Sequence, residues 1–280
     1  MGYREWRAAK LANYPLHVDE LIVQIGGLIA PDSASLAAVR SSCRRANMAI
    51  YSCRDPAVDR RSILAFAAHF GLYRIDRHLC ANDDGVAELT VTSDGARGDY
   101  VPYSDRSLSW HTDGYYNEES GRVRSVILHC RQDATTGGQT ALLDPEIAYI
   151  RLRDANPAYI TALEHPACMT IPANVQGGRE VRPAVSGPVF SSDRAGGALQ
   201  MRYSARKKNI RWRDDRATAA ARACLTELLA DDTGPVLRYD LQPGQGIISN
   251  NVLHNRTAFE DGPSRKRLLY RARFFDRINS

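Results

Sequence analysis

The stretch of sequence that decides the fold is residues 108–115, which read LSWHTDGY, together with residues 249–257, SNNVLHNRT. The first stretch places His111 two residues before Asp113, and the second adds His254 far along the chain. Residues i and i+2 of a strand point to the same face, so His111 and Asp113 would converge on one point. His254 would come from another strand folding back. Two imidazoles and one carboxylate are the ligand set of the facial triad, which holds non-haem Fe(II) and leaves positions open.

Length and composition describe an ordinary globular protein. Of the 280 residues, 44% are hydrophobic and 25% charged, which is enough material to bury a sizeable core. No stretch approaches ~18 consecutive apolar residues, so no membrane association is expected. The N-terminal residues lack the apolar region of a secretion signal. Six cysteines are scattered without a Cys-x-x-Cys pair, which argues against a zinc knuckle or a disulfide framework and predicts a cytoplasmic protein.

The formal net charge of +5 does not indicate a nucleic-acid partner. The basic residues are dispersed, with no basic run longer than three residues. Nucleic-acid binding would require a clustered basic stripe with stacking aromatic residues. A net positive field would instead favour a small anionic substrate. We therefore expect a small-molecule partner and no nucleic acid.

The hydrophobic pattern predicts an α+β, mainly β protein of one domain, residues 1–280. The first part of the chain, about 20–87, is predicted to form an α/β layer with strands over 21–28 and 48–52 and helices over 33–47 and 63–70. From about residue 88 onward, short runs separated by turn residues predict a double-stranded β-helix (jelly roll) core with helical inserts. The inserts are expected near 145–165 and 215–231. The core strands are expected over 107–113, 122–131, 138–143, 167–172, 187–191, 198–204, 236–242, 245–250 and 266–275.

The motifs around the candidate ligands carry a family resemblance. Besides the two stretches above, the chain has Tyr103, the turn GGQT at 137–140 and the turn PGQG at 243–246. With these motifs the chain resembles the Fe(II)/2-oxoglutarate-dependent oxygenases of the taurine dioxygenase (TauD/TfdA) type. It is also similar to γ-butyrobetaine hydroxylase around the ligand motifs. The resemblance spans roughly residues 20–275, nearly the whole chain.

The resemblance implies roles for several residues. His111, Asp113 and His254 match the three iron ligands, and Fe(II), 2-oxoglutarate and O2 are the implied cofactor and cosubstrates. Arg267 matches the arginine that clamps the distal carboxylate of 2-oxoglutarate through a bidentate fork, and Thr140 matches a hydroxyl that binds the same carboxylate. The implied reaction hydroxylates an unactivated C–H bond and releases succinate and CO2.

The last predicted strand carries an unusual set of arginines. Even spacing puts Arg267, Arg271 and Arg273 on one face, where burial would be costly without anions to pair with them. The alternative is an exposed edge strand that uses charge against aggregation. Arg271 matches a position that faces substrate or the inner carboxylate of the cosubstrate. Arg265, two residues before Arg267, is the next candidate for the carboxylate clamp.

The substrate is predicted to be anionic. Tyr103 matches one wall of the aromatic cage that holds the trimethylammonium group in γ-butyrobetaine hydroxylase, but Arg273 stands in place of the cage tyrosine and would repel a cation. This favours a carboxylate, sulfonate or phosphonate. Tyr115, Tyr116 and Asn117 directly follow the His-x-Asp motif and are predicted to line the substrate pocket, with a solvent-facing hairpin tip as the alternative.

Other functions stay open on the sequence alone. The same chemistry can give desaturation, cyclisation or C–S, C–N or C–P cleavage, and a betaine hydroxylase is a further alternative. From another class, a non-catalytic cupin-like metal-binding protein would not need a carboxylate clamp. A second basic cluster, Arg202, Arg206, Lys207 and Lys208, predicts either a lid over the pocket or a solvated loop. The family resemblance also implies a homo-oligomer, a dimer or a tetramer.

Overall fold

The structure of the protein is a computed structural model that describes residues 2–55, 58–78, 81–93, 100–192 and 197–278. Within these ranges the α-helices are α1 Tyr3–Asn13, α2 Ser33–Ala46, α3 Arg60–Ala68, α4 Pro145–Ala155, α5 Pro157–Leu163 and α6 Arg216–Ala230. The first strands are β1 Ile22–Ile25, β2 Met48–Cys53, β3 Ala87–Leu89, β4 Leu108–His111, β5 Ser125–Gln132, β6 Thr136–Gly137, β7 Thr140–Leu143, β8 Met169–Ile171 and β9 Asn174–Gln176. The others are β10 Arg179–Arg182, β11 Val185–Gly187, β12 Phe190–Ser192, β13 Leu199–Met201, β14 Arg211–Trp212, β15 Leu237–Tyr239, β16 Gln245–Ser249, β17 Leu253–Arg256, β18 Phe259–Glu260 and β19 Leu268–Phe274.

Two sheets dominate the molecule. The larger has six strands in the order β1-β2-β16-β5-β19-β3, and the smaller has four in the order β15-β7-β17-β4. In the larger sheet β1 and β2 are parallel, and the remaining pairs are antiparallel. Both sheets combine strands that lie far apart in the sequence, which brings the two ligand-bearing stretches together.

The opening α/β segment shares its sheet with the rest of the protein. β1 and β2 extend the six-stranded sheet, and α2 and α3 cover one face of it. α2 begins where Asp32 accepts a 2.8 Å hydrogen bond from the backbone N–H of Ser35, and it ends at Asn47, whose φ of 56° is left-handed. The predicted helix over 33–47 and the flanking strands are therefore confirmed.

A hydrophobic cluster joins the facing sides of the two sheets. From the larger sheet it contains Ile50, Cys130 and Leu269, and from the smaller sheet Leu142 and Leu237. All five are buried, and full burial of a Leu or Ile side chain stabilises the fold by roughly 1.5–3 kcal/mol. The cluster holds the two sheets against each other.

The helical inserts form a third layer. α4, α5 and α6 pack with strands β8, β12 and β13 in a separate cluster that also contains Leu143 and Leu253 of the smaller sheet. The predicted inserts near 145–165 and 215–231 are confirmed by α4, α5 and α6. Within the part of the chain that the structure describes, no helix has the length and apolarity needed to cross a membrane.

Some elements differ from the predicted pattern. α1 and the hairpin of β9 and β10 were not predicted. α1 is attached by a buried amine: Lys10 lies 2.6 Å from carboxylate oxygens of Asp144 and Glu146. The strand predicted over 107–113 ends at His111, so Asp113 lies in the following turn rather than on the strand.

Candidate metal centre and its surroundings

His111 and His254 face each other across two paired strands. They are direct partners in the antiparallel register of β4 and β17, and their ring centroids are 4.2 Å apart. Partner residues on neighbouring strands share a face, so both imidazoles point to the same side of the smaller sheet. The strand from which His254 approaches is the short β17, which the sequence pattern did not separate from the preceding turn.

Each imidazole is held by a local hydrogen bond. Nδ1 of His111 lies 2.8 Å from the carbonyl of Ser109, and Nδ1 of His254 lies 2.9 Å from the carbonyl of Val252. A carbonyl only accepts, so Nδ1 carries the proton and Nε2 keeps its lone pair. Burial, together with the neighbouring His254, lowers the pKa of His111 to about 3, which keeps this ring neutral.

Asp113 is positioned by an asparagine from the turn before β17. The backbone N–H of Asp113 donates to Oδ1 of Asn251 at 2.8 Å, and Nδ2 of Asn251 donates to the carbonyls of Asp113 at 2.9 Å and Val123 at 2.8 Å. Burial raises the pKa of Asp113, but Arg271, Arg273 and both imidazoles outweigh it, so the pKa lies below its ordinary value. Asp113 is therefore ionised at neutral pH.

The three side chains form a donor set that suits a divalent metal. One ligand atom from each of His111, Asp113 and His254 lies within 4.8 Å of the others. Oδ2 of Asp113 is buried and has no hydrogen-bond partner among the described residues. A buried carboxylate oxygen without a partner is costly, and a cation at this point would satisfy it together with the two free Nε2 lone pairs. The residues present thus fit a metal ion.

Two arginines of β19 surround Asp113. Nη1 of Arg271 lies 3.3 Å from Oδ1 of Asp113, and Nη1 of Arg273 lies 3.8 Å from the same oxygen. Arg273 also contacts Oδ2 of Asp76 at 2.6 Å and donates to the hydroxyl of Tyr116 at 2.9 Å. Its side chain is 2% exposed, so a carboxylate on each side compensates for a buried charge. The sequence predicts Arg273 toward substrate, and in the structure its guanidinium already has protein partners.

Arg267 is buried immediately before the other end of the same strand, and its guanidinium forms no ion pair among the described residues. Among the described residues, its guanidinium has no hydrogen bond or ion pair, and it lies 4.9 Å over the ring of Phe259. A Cβ on Gly138 would lie 3.4 Å from Nε of Arg267, which places this arginine beside the turn that leads to Thr140. Thr140 is itself buried at the start of β7. Burial lowers the pKa of Arg267 to about 10, so it remains a cation at neutral pH.

The alternative clamp residue has a different environment. Arg265 is on the surface and pairs with Asp133, its Nε 3.0 Å from Oδ1. This position leaves Arg267 as the buried and unpaired member of the two.

The four other predicted pocket residues occupy different environments. Tyr115 is buried, with its ring centroid 6.4 Å from that of His111, and Tyr116 packs edge-on against it at 5.3 Å. Asn117 donates its side-chain amide to the carbonyl of Gly121 at 2.8 Å, which stabilises the turn. Tyr103 lies in the cluster between the sheets. Only the tyrosine pair therefore lies next to a candidate ligand.

Two residues that sequence reasoning did not single out for a role complete the site. Asn251 orients Asp113, and its place three residues before His254 is the signal that could have indicated it. Asp76 lies on an irregular segment far from both motifs; the preceding Ile75 pairs with Phe274, and the backbone N–H of Asp76 donates to the carbonyl of Arg273 at 2.7 Å. No pattern in the sequence connects Asp76 with Arg273.

A comparison with known protein families shows to which enzyme family the chain belongs. The family model "Taurine catabolism dioxygenase TauD, TfdA family" matches residues 53–273. The chain belongs to this family. It is therefore a non-haem iron dioxygenase that uses Fe(II), 2-oxoglutarate and O2.

Two similar proteins have names that specify a substrate. The chain is 31% identical to a uridine-5'-phosphate dioxygenase of a Streptomyces species over 225 residues, 76% of this chain and 78% of that protein. It is 30% identical to a uridine-5'-phosphate dioxygenase of an Amycolatopsis species over 168 residues, 58% of this chain and only 59% of that protein's length.

Solved structures show the fold. A non-haem iron oxygenase, OrfP, solved with Fe, succinate and (3S)-hydroxy-L-Arg, superposes with a TM-score of 0.63 at 17% identity. The match covers 87% of this chain and 80% of that one. The mixed helix-and-strand architecture is thus shared with iron oxygenases, as the family resemblance implied.

Proposed function

We propose that His111, Asp113 and His254 are the iron ligands of this dioxygenase. The observation that supports this most strongly is the convergence of three ligand atoms within 4.8 Å, with both Nδ1 atoms already donating to carbonyls. Bound Fe(II) would supply, with 2-oxoglutarate and O2, the oxidising power to hydroxylate an unactivated C–H bond. The fold proposed with it is a jelly roll made of the two main sheets, within a single domain of residues 1–280.

The remaining polar residues have separate tasks in this proposal. Arg267 and Thr140 bind the distal carboxylate of 2-oxoglutarate, since Arg267 is a buried cation that forms no ion pair among the described residues. Asn251 and the pair of Arg271 and Arg273 hold Asp113 ionised and in place. The buried cluster between the sheets would keep water from one side of a cosubstrate bound beside it.

We infer that the substrate is a small phosphorylated metabolite of the nucleoside monophosphate kind. The two relatives are named uridine-5'-phosphate dioxygenases, and Arg271 and Arg273 lie beside Asp113, close to the proposed metal position. These guanidiniums disfavour a trimethylammonium substrate, because a like charge would approach them in a buried setting. Arg271 is the residue we place closest to the substrate, as the family resemblance implies. Tyr115 and Tyr116 line the pocket beside it.

Succinate release from 2-oxoglutarate across a substrate panel tests this function. The panel contains uridine 5'-monophosphate, uridine, taurine, amino acids and γ-butyrobetaine. We expect the nucleotide to give the fastest release and uridine a much slower one. Arg271→Ala should raise KM for the nucleotide more than KM for 2-oxoglutarate. Fastest release with γ-butyrobetaine would refute the anionic pocket.

Product analysis in the same assay separates the possible outcomes. A hydroxyl placed on the carbon that bears the phosphate ester gives a hemiacetal phosphate, which collapses to an aldehyde and inorganic phosphate. Release of phosphate in equal amount to succinate would locate oxidation at that carbon. A stable hydroxylated nucleotide would locate it elsewhere, and a product two hydrogens lighter would indicate desaturation or cyclisation.

A further inference from the structure

The segment after β13 runs beside the strand that carries His111. The backbone N–H of Thr112 donates to the carbonyl of Tyr203 at 3.0 Å, and Ala205 donates to the carbonyl of Trp110 at 2.8 Å. Ser204 is the direct antiparallel partner of His111. Partner residues share a face, so Ser204 lies on the metal side of this segment. Arg202 and Arg206, two residues to either side, share that face where the segment is extended.

The two arginines of this segment have opposite environments. Arg202 is buried, and its guanidinium donates to the backbone carbonyls of Tyr115 (2.7 Å), Met169 (2.9 Å), Val185 (3.0 Å) and Gly187 (3.3 Å). Arg206 is exposed and lies 6.0 Å over the ring of Tyr115. Among the described residues, its guanidinium has no hydrogen bond or ion pair. Arg202 therefore holds the backbone together, whereas Arg206 presents free donors.

A second cation and two hydroxyls lie near Arg206. The hydroxyl of Tyr115 is hydrogen-bonded to Ser204. Arg182, at the end of β10, lies 6.0 Å from the ring of Tyr116 and donates to the carbonyls of Pro172 at 2.6 Å and Pro183 at 2.7 Å. Arg182 has no carboxylate partner within the described ranges. Two guanidiniums without a protein anion thus flank the tyrosine pair that borders His111.

We propose that Arg206, with the hydroxyls of Ser204 and Tyr115 and the charge of Arg182, forms a binding subsite for the phosphate of the substrate. A phosphomonoester carries a charge of about −1.5 to −2 at neutral pH and three acceptor oxygens, which suits two cations and the hydroxyl hydrogen that the Ser204–Tyr115 hydrogen bond leaves free. The inference rests on the proposed function, because it assigns the phosphate of the same nucleotide substrate. It places recognition on the segment that pairs with the ligand strand.

Arg206→Ala tests the subsite, with Lys208→Ala as the matched control. Both side chains are exposed, so neither substitution threatens the fold, and Lys208 removes the same charge two residues further along. With uridine 5'-monophosphate as probe, we expect KM to rise about 10- to 100-fold in Arg206→Ala, the effect of one lost charge-assisted hydrogen bond. KM for 2-oxoglutarate should stay within about twofold in both variants.

A binding measurement separates the subsite from the proposed substrate. Methyl phosphate, which lacks the nucleoside, is titrated into wild type and both variants. We expect Arg206→Ala to bind it about tenfold more weakly and Lys208→Ala to bind it like wild type. The subsite is refuted if methyl phosphate does not bind wild type, if both variants weaken equally, or if the nucleotide is turned over with unchanged KM in Arg206→Ala. If methyl phosphate binding depends on Arg206 but the nucleotide is not turned over, the subsite is supported and only the proposed nucleotide substrate is refuted.

Discussion

Two arginines near opposite ends of β19, Arg273 on the strand and Arg267 immediately before it, are buried in opposite ways. Arg273 is 2% exposed and lies between Asp76 and Asp113, with Tyr116 as a further partner. Arg267 is 6% exposed, its guanidinium lies over the ring of Phe259, and it forms no ion pair among the described residues, although the nearby Asp261 favours its charged form. A buried guanidinium cannot release its proton at neutral pH, so the unpaired one leaves a desolvation cost that the protein itself does not offset. The comparison indicates that a paired arginine maintains the site and an unpaired one binds an anionic ligand.

The electrostatic surroundings agree with this division. Burial opposes ionisation of Arg273, but Tyr116, Asp113 and Asp76 outweigh it and raise its pKa above the ordinary value. At the other end, burial lowers the pKa of Arg267 to about 10, and burial together with Arg267 lowers that of Arg256 to about 10. Neither of these neighbouring cations forms an ion pair among the described residues, and Asp261 and Asp105 only partly offset their burial, so the Arg267 end is the more positive one. A dicarboxylate such as 2-oxoglutarate would offset that charge.

The largest expected effect is the loss of metal binding when one of the proposed ligands is removed. One of these ligands, Asp113, also contacts Arg271 and Arg273. His254→Ala removes one Nε2 ligand and should reduce Fe(II) or Mn(II) binding below detection, and His111→Ala should do the same. Metal content after dialysis, measured by mass spectrometry, checks this. Because His254 is only half-buried, the variant should remain folded. Full metal loading in either variant would mean that the ion binds elsewhere.

The second prediction compares the two arginines in stability. Arg273→Met leaves Asp76 and Asp113 without their buried partner and should lower the free energy of unfolding by about 3–5 kcal/mol. Arg267→Met removes an unpaired buried cation and should change it by less than about 1 kcal/mol. Urea denaturation of the ligand-free proteins measures both. Similar losses in the two variants would show that pairing does not distinguish these arginines.

Sequence analysis identified the arginines of this comparison, but it did not identify all of the residues that contact them. Alternation along β19 was predictable: Leu269 packs between the sheets, whereas Tyr270 and Ala272 pack under the helices. The His-x-Asp motif and the distal histidine also identified the three side chains that converge.

Tertiary contacts set the remaining details. Asp113 leaves the strand because Asn251, 138 residues away, binds its backbone on both sides, and no local pattern reveals that contact. Asp76 reaches Arg273 from an irregular segment. A propensity argument does not find such a residue, because its position depends on the packing of the whole sheet.

A smaller effect on the free energy of unfolding is expected from His129, a buried group that, unlike the arginines, can lose its charge. His129 is 1% exposed, stacks between Tyr51 and Tyr270, and has a pKa lowered to about 4, mainly by burial. The unfolded chain binds this proton below about 6.5 and the folded protein only near 4, so the unfolded state binds more protons between these values. The free energy of unfolding should therefore fall as the pH drops from 6.5 toward 4, by roughly 1–3 kcal/mol from this residue.

Denaturation at several pH values measures that slope. His129→Phe should make it shallower, and His17→Phe, at an exposed position, should leave it unchanged. An unaltered slope in His129→Phe would show that burial does not depress this pKa.

We propose that Arg267 forms no ion pair among the described residues because its guanidinium binds the carboxylate of 2-oxoglutarate. The dissociation constant of 2-oxoglutarate, measured by isothermal titration into the Mn(II)-loaded protein, tests it directly in Arg267→Ala and in the matched Arg265→Ala. Arg265 is two residues away but exposed and paired with Asp133. We predict that Arg267→Ala weakens binding by 2–4 kcal/mol, roughly 30- to 1000-fold, and that Arg265→Ala stays within about twofold. Unchanged affinity in Arg267→Ala, or an equal loss in both variants, would contradict the account.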